Sequence, residues 1–252
     1  MSFINSIPTS EKSSIKVAVR IRPLNKKESS TANIITTSNE KIIITDSSNK
    51  SKNFTYDYVY DVNSTQDDIY NDIGKHVITN AFKGYNSCVF AYGITGSGKS
   101  YTMMGGSSFD KGLIPRICQS LFDLQNTHDG IDKHNCQITY QIELSYMEIY
   151  SEQVKDLLNP SNDKSSLDVR QHPETGPYVD GLKQILVEDY LSIKRIISKG
   201  DTRRHTASTD MNDCSSRSHA ILTIYFTQIV QEADIAKPRE IVSKINLVDL
   251  AG

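Results

Sequence analysis

Eight consecutive residues, Gly93, Ile94, Thr95, Gly96, Ser97, Gly98, Lys99 and Ser100, fit the pattern G-x-x-x-x-G-K-[ST]. That spacing is one a polypeptide uses to hold phosphate. Glycines at 93, 96 and 98 permit backbone angles other residues resist, so successive N–H groups can point at phosphate oxygens. Lys99 brings a mobile point charge to the outer phosphates, and the Ser100 hydroxyl can ligate Mg2+. Two later segments complete such a chemistry. Asn212, Asp213, Cys214, Ser215, Ser216, Arg217, Ser218 and His219 form a hydroxyl-rich stretch with one guanidinium, suited to sensing a terminal phosphate and its metal. An apolar run then ends in Asp249, where a P-loop enzyme places its second metal-linked acid.

A phosphate loop needs a strand before it and a helix after it. Ser87, Cys88, Val89, Phe90, Ala91 and Tyr92 read as a buried, apolar strand. Tyr101, Thr102, Met103 and Met104 can open a helix, whose N-terminal N–H groups favour an anion.

The rest of the chain supplies the scaffold. At 252 residues, 37% hydrophobic and 23% charged, it has enough for one sizeable core. A net charge of −2 gives no general attraction to nucleic acid or to an anionic membrane. No apolar run reaches membrane-spanning length. Cys88, Cys118, Cys136 and Cys214 show no metal spacing and read as reduced, mostly core-filling thiols. Residues 1–14 read as a flexible leader and 15–252 as one domain, with no linker dividing it. Residues 15–23 alternate until Pro23 halts a strand. Residues 33–60 read as hairpins on the sheet edge, and Ser64 and Thr65 as caps for a helix carrying Ile69, Ile73, Val77 and Ile78. Helical spacing returns over 113–124. Ile138, Tyr140, Ile142, Leu144 and Tyr146 mark a half-buried strand, residues 150–158 a short amphipathic turn, and 167–170 and 178–187 further strands. A helix over 190–199 is expected to stop at Gly200. Residues 220–230 and 244–249 close the sequence as strands. Strands and helices interleaved around a phosphate loop predict an α/β, three-layer architecture.

These segments together resemble a kinesin motor domain along almost the whole chain, from about Ile15 to Gly252. Arg20, Ile21, Arg22 and Pro23 look like the family's adenine-side motif. Residues 90–103 are similar to its P-loop, 212–219 to its switch I, and Asp249, Leu250, Ala251 and Gly252 to the opening of its switch II. Residues 99–105 and 145–150, and His172 and Pro173 with 176–179, look most like the class-three, vesicle-transporting branch. The resemblance implies a P-loop NTPase of kinesin type, with a central, mostly mixed sheet and helices on both faces. It implies ATP and Mg2+, with Tyr101 stacked on adenine near Arg20, Arg22 and Pro23. The absence of a guanine-reading N-K-x-D agrees, since Asn25, Lys26, Lys27 and Glu28 end wrongly. By position, Lys99 binds outer phosphates and Ser100, Ser216 and Asp249 serve the metal. Ser215 and Ser216 close on the γ-phosphate, which the Gly252 N–H senses. Ile94 stands where the family usually has Gln; because N–H groups do the cradling, little loss is expected.

The family continues beyond Asp-Leu-Ala-Gly with Ser-Glu, whose Glu pairs with Arg217 and helps order the attacking water. This chain ends at Gly252. The resemblance thus implies a motor domain lacking its C-terminal part, with the main microtubule-binding helices and the neck. An inner strand expected beside residues 17–21 goes with them. Microtubules, cargo and an address in cytoplasm and cytoskeleton would belong to the full-length protein. The other reading is a non-motile nucleotide-binding or inactive fragment.

Overall fold

The computed structural model describes residues 15–26, 28, 34–38, 40–107, 109–128, 130–131, 136–159, 166–174, 176–206, 216–232 and 237–252. The expected leader, residues 1–14, lies outside them. The chain divides into two compact units, Met1–Ile69 and Tyr70–Gly252.

In the first unit, Ile35–Ser38, Lys41–Thr45 and Ser51–Thr55 form a three-stranded antiparallel sheet of their own. They are hairpins, as the sequence predicts, but not an edge of the main sheet. The first strand is shorter than its alternation suggests. Only Ala18–Arg20 pair, in parallel with Tyr58–Tyr60, and Ile15 and Val17 are exposed. A short helix, Gln66–Ile69, begins with a reciprocal cap: Asp68 N–H donates to Thr65 Oγ1 at 3.2 Å and Thr65 N–H to Asp68 Oδ2 at 2.8 Å. That bond holds the Asp68 carboxyl below its usual range.

The second unit is built on a seven-stranded mixed sheet whose main path runs Gln153–Asp156, Gln137–Tyr150, His219–Gln231, Arg239–Asp249, Ser87–Ala91. The three long central strands are antiparallel, and Ser87–Ala91 joins the last of them in parallel. Registers such as Ile142↔Phe226 and Phe226↔Ser243 put Ile142, Leu144, Ile224, Phe226, Ile245 and Leu247 on one buried face. Phe82 lies against Phe226 there, with ring centroids 4.7 Å apart. The helix Lys75–Phe82 follows a π-helical turn over Tyr70–Gly74. Its terminal carbonyls are met from the sheet: Ser243 Oγ donates to Ala81 O at 2.9 Å, and Gln228 Nε2 to Phe82 O at 3.2 Å. Burial raises the Cys118 thiol to about 12, as suits an inert core filler in the helix Leu113–His128.

Several sequence expectations change here. The helices Lys75–Phe82, Leu113–His128 and Tyr190–Thr206 adjoin one another in succession. Phe82 meets Phe226 and Gly200 meets Tyr146 on the same sheet face. These three helices cover that one face of the sheet. Ser87–Ala91 is a strand but not a buried one: Cys88 is exposed, and Phe90 is 62% exposed. Residues 150–158 do not form the amphipathic turn. Ser151 and Glu152, at φ 49° and 63°, make a two-residue turn into the strand Gln153–Asp156. Gly200 does not end its helix, which runs Tyr190–Thr206. It is buried, and a β-carbon on it would strike the Tyr146 ring. The glycine serves close helix–sheet approach rather than termination.

Candidate functional site

The P-loop leaves the end of the Ser87–Ala91 strand and enters a helix of only five residues, Lys99–Met103. Gly96 and Gly98 sit at φ 80° and 97°, where a side chain is strained, and a β-carbon on either would meet nothing within 4 Å. Backbone conformation, not space, demands glycine there. A helix so short adds little dipole to the N–H groups of the loop. Lys99 Nζ reaches back across the loop to the carbonyls of Gly93 and Ile94, at 2.7 and 3.2 Å. The Ile94 side chain is 78% exposed.

Asp249 ends the central strand beside this loop because the parallel register sets it against Ala91. Ser100 Oγ donates to Asp249 Oδ2 at 2.5 Å, so the structure brings together two of the three residues predicted to serve a metal. The other carboxylate oxygen, Oδ1, is buried without a hydrogen-bond partner. An orphaned buried oxygen is costly unless something fills its valence.

Behind Asp249 lies a buried polar cluster. Arg204 comes from the helix Tyr190–Thr206, Glu148 from the long central strand, and Ser218 from the segment that resembles switch I. Arg204 Nε lies 3.3 Å from Glu148 Oε1, its Nη2 donates to Ser218 O at 2.9 Å, and Nη1 is 4.0 Å from Asp249 Oδ2. Glu148 is 1% exposed and Arg204 7%. One guanidinium thus faces two buried carboxylates. Nearby, Tyr146 Oη donates to Asp201 at 2.7 Å, and burial, with Asp201 adding to it, pushes that phenol well up. Sequence reasoning missed Glu148 and Arg204, though each had a signal. Glu148 continues the alternation of Ile142, Leu144 and Tyr146, and Arg204 continues the helical face of Ile193, Ile197 and Gly200.

The switch segments meet at the same place. Gly252 N–H donates to Ser216 O at 2.9 Å, and Ala251 N–H to His219 Nδ1 at 3.1 Å. The Gly252 donor expected for a terminal phosphate is therefore engaged by a switch I carbonyl. A β-carbon on Gly252 would fall 2.5 Å from Thr95 N, so this turn lies directly against the P-loop. Arg217 is exposed. Residues 212–215, Ser215 among them, lie outside the described residues.

In the first unit, Arg20 Nη1 donates to Gln66 Oε1 at 3.0 Å. Arg22 grips both oxygens of Glu28, at 2.7 and 2.8 Å, and donates to Pro23 O at 2.9 Å. Arg22 first, and the Asn25 N–H second, lower the Glu28 carboxyl to about 2. Within that unit Arg22 and Glu28 hold the turn that follows the first strand, while Arg20 ties the strand to the short helix.

Known proteins fit this arrangement. A family model described as the kinesin motor domain matches residues 20–252. The chain is 46% identical over 253 residues to kinesin-like protein KIF1B of Mus musculus, covering 95% of this chain and 14% of that protein. It is 45% identical over 260 residues to kinesin-like protein KIF16B of Mus musculus, covering 95% and 19%. Among solved structures, a fast kinesin superposes with a TM-score of 0.83 at 38% identity, covering 94% of this chain and 65% of that one. A KIF14 dimer with AMP-PNP in complex with a microtubule gives 0.83 at 37%, covering 95% and 68%. The chain thus spans about a seventh of the length of the first of these relatives. With a family model over residues 20–252 and relatives at 46% identity across 95% of its length, the chain belongs to the kinesin motor domain family.

Proposed function

We propose that the chain binds and hydrolyses Mg-ATP and that, in the whole motor, this turnover drives movement along microtubules. We place it in the class-three, vesicle-transporting branch, acting in the cytoplasm on the microtubule cytoskeleton. One observation carries the reading: Ser100 and Asp249 touch at the mouth of the P-loop, with Asp249 Oδ1 buried and unpartnered.

Those residues suit Mg2+. They are hard oxygen donors, one hydroxyl and one carboxylate, and one carboxylate oxygen is buried without a partner. Ser100, Ser216 and Asp249 would hold the ion, Asp249 through water. When bound, the ion would neutralise charge on the outer phosphates. The N–H groups of residues 93–100 and the Lys99 ammonium would orient the triphosphate, and the Tyr101 ring would take the base. The adenine-side role of Arg20, Arg22 and Pro23 rests on the resemblance alone. Ser215, Ser216 and Arg217 would close over the γ-phosphate. Gly252 N–H would join them by exchanging its Ser216 carbonyl for a phosphate oxygen, a change that couples switch I to switch II. Catalysis in such a site is positioning and charge stabilisation of the transferring phosphoryl group.

Phosphate release from ATP by the full-length motor, with and without microtubules, tests the proposal. Turnover that microtubules stimulate, and that Lys99→Ala or chelation of Mg2+ abolishes, is expected. Nucleotide binding with no turnover in the presence of microtubules would overturn it and leave a non-motile binding module.

A further inference from the structure

The residue after the phosphate-binding Lys-Ser pair, Tyr101, is 43% exposed, yet its hydroxyl is not left to solvent. Tyr101 Oη donates to Asp110 Oδ2 at 2.6 Å. Asp110 opens the second strand of a small hairpin, Gly105–Ser107 with Asp110–Lys111, that leaves the end of the P-loop helix. The hairpin is anchored on several sides. Gly112 N–H donates to Met104 O at 3.0 Å and Arg116 Nε to Lys111 O at 2.7 Å, while Lys111 Nζ stands 4.8 Å from the centre of the Tyr190 ring. The edge of the Tyr101 ring also lies against Gly106, where a β-carbon would come within 3.2 Å of Cε2. The ring is therefore held at its tip by a carboxylate on a fixed hairpin and along its edge by a residue without a side chain.

We propose that Asp110 is a positioning residue for the nucleotide base: its carboxylate fixes the Tyr101 ring in the orientation that offers one face to a purine. The inference rests on the reading that Tyr101 is the base platform. Nothing in the phosphate chemistry requires this contact. A tyrosine ring has two rotatable bonds, and holding it ready before binding removes an ordering cost otherwise met on association. That cost corresponds to about 3–10-fold in affinity. The carboxylate acts through the ring and needs no contact with the nucleotide.

The test is a set of dissociation constants for MgATP and for Mg-tripolyphosphate, which carries the charge but no base. They are measured on the full chain as wild type, Asp110→Ala, Asp110→Asn, Tyr101→Phe and the Asp110→Ala/Tyr101→Phe double variant. We expect Asp110→Ala to weaken MgATP about 3–10-fold and leave tripolyphosphate unchanged. Asp110→Asn, whose carbonyl still accepts the bond, retains most of the affinity. Tyr101→Phe weakens MgATP similarly, and adding Asp110→Ala to it costs nothing further. Equal weakening of both ligands, additive losses in the double variant, or no effect of Asp110→Ala would each overturn the proposal. If the wild type binds MgATP no more tightly than tripolyphosphate, the base-platform reading fails and the proposal falls with it.

Discussion

The central strands and the P-loop strand of one sheet are built on different terms. Gln137–Tyr150, His219–Gln231 and Arg239–Asp249 are 11 to 14 residues long and bury Leu144, Ile224, Phe226 and Leu247 completely or nearly so. Ser87–Ala91 is five residues long, pairs on one side among the described residues, and leaves Phe90 mostly exposed. Packing energy sits in the first group and the proposed chemistry at the second. The joint between them is Asp249, the last residue of a central strand and the partner of Ser100 in the loop. A phosphate loop gains from this. Its glycines hold the backbone in a shape that can meet a ligand, while the neighbouring carboxylate stands on a well-packed strand.

Breaking the central side should cost the most. Arg204→Ala strips the partner from buried Glu148 and should lower unfolding free energy by about 3–5 kcal/mol in denaturant titration. Leu247→Ala should cost about 2–5 kcal/mol by the same measurement. Gly200→Ala forces a methyl into the Tyr146 ring and should cost about 1–3 kcal/mol, with the melting temperature as readout. On the loop side, Ile94→Gln should change stability by no more than about 0.5 kcal/mol and leave MgATP affinity unchanged, because that side chain is exposed and backbone N–H groups would meet the phosphates. The smallest effect concerns acid. The folded Glu28 carboxyl titrates at about 2 against 4.5 ordinarily, so its contribution is fully present above 4.5 and fades as pH falls toward 2. Melting of Glu28→Gln should therefore fall below wild type near neutrality and converge with it as pH approaches 2. The gap stays small because the pair is exposed.

What the sequence revealed, and what it hid, follows the same division. The P-loop was legible because backbone chemistry imposes its residue types: Gly96 and Gly98 adopt positive φ, and Lys99 and Ser100 have few substitutes. The central strands were legible from alternation, as in Ile138 to Tyr146. Burial was harder to read. The apolar letters of Cys88 and Phe90 promise a core position, but cover on the second face is not a property of the strand's own residues. Gly200 was misread because glycine after an apolar face is a common helix stop, whereas here the need is room for Tyr146. The turn at Ser151 and Glu152 was missed because neither residue is one that usually marks positive φ. Arg204 was hidden by the false stop at Gly200, which cut its helix short.

The central claim is that the Ser100–Asp249 pair and its loop form a Mg2+-dependent nucleotide site. Thermal unfolding of the full chain in MgATP, against ATP with chelator, addresses it most directly. Ligand at a hundred times its dissociation constant stabilises a binding fold by about 2.7 kcal/mol. The account predicts a shift of that order with MgATP, strongly reduced by chelation and by Ser100→Ala. An unfolding curve that MgATP does not move, or moves equally with chelator present, would contradict it.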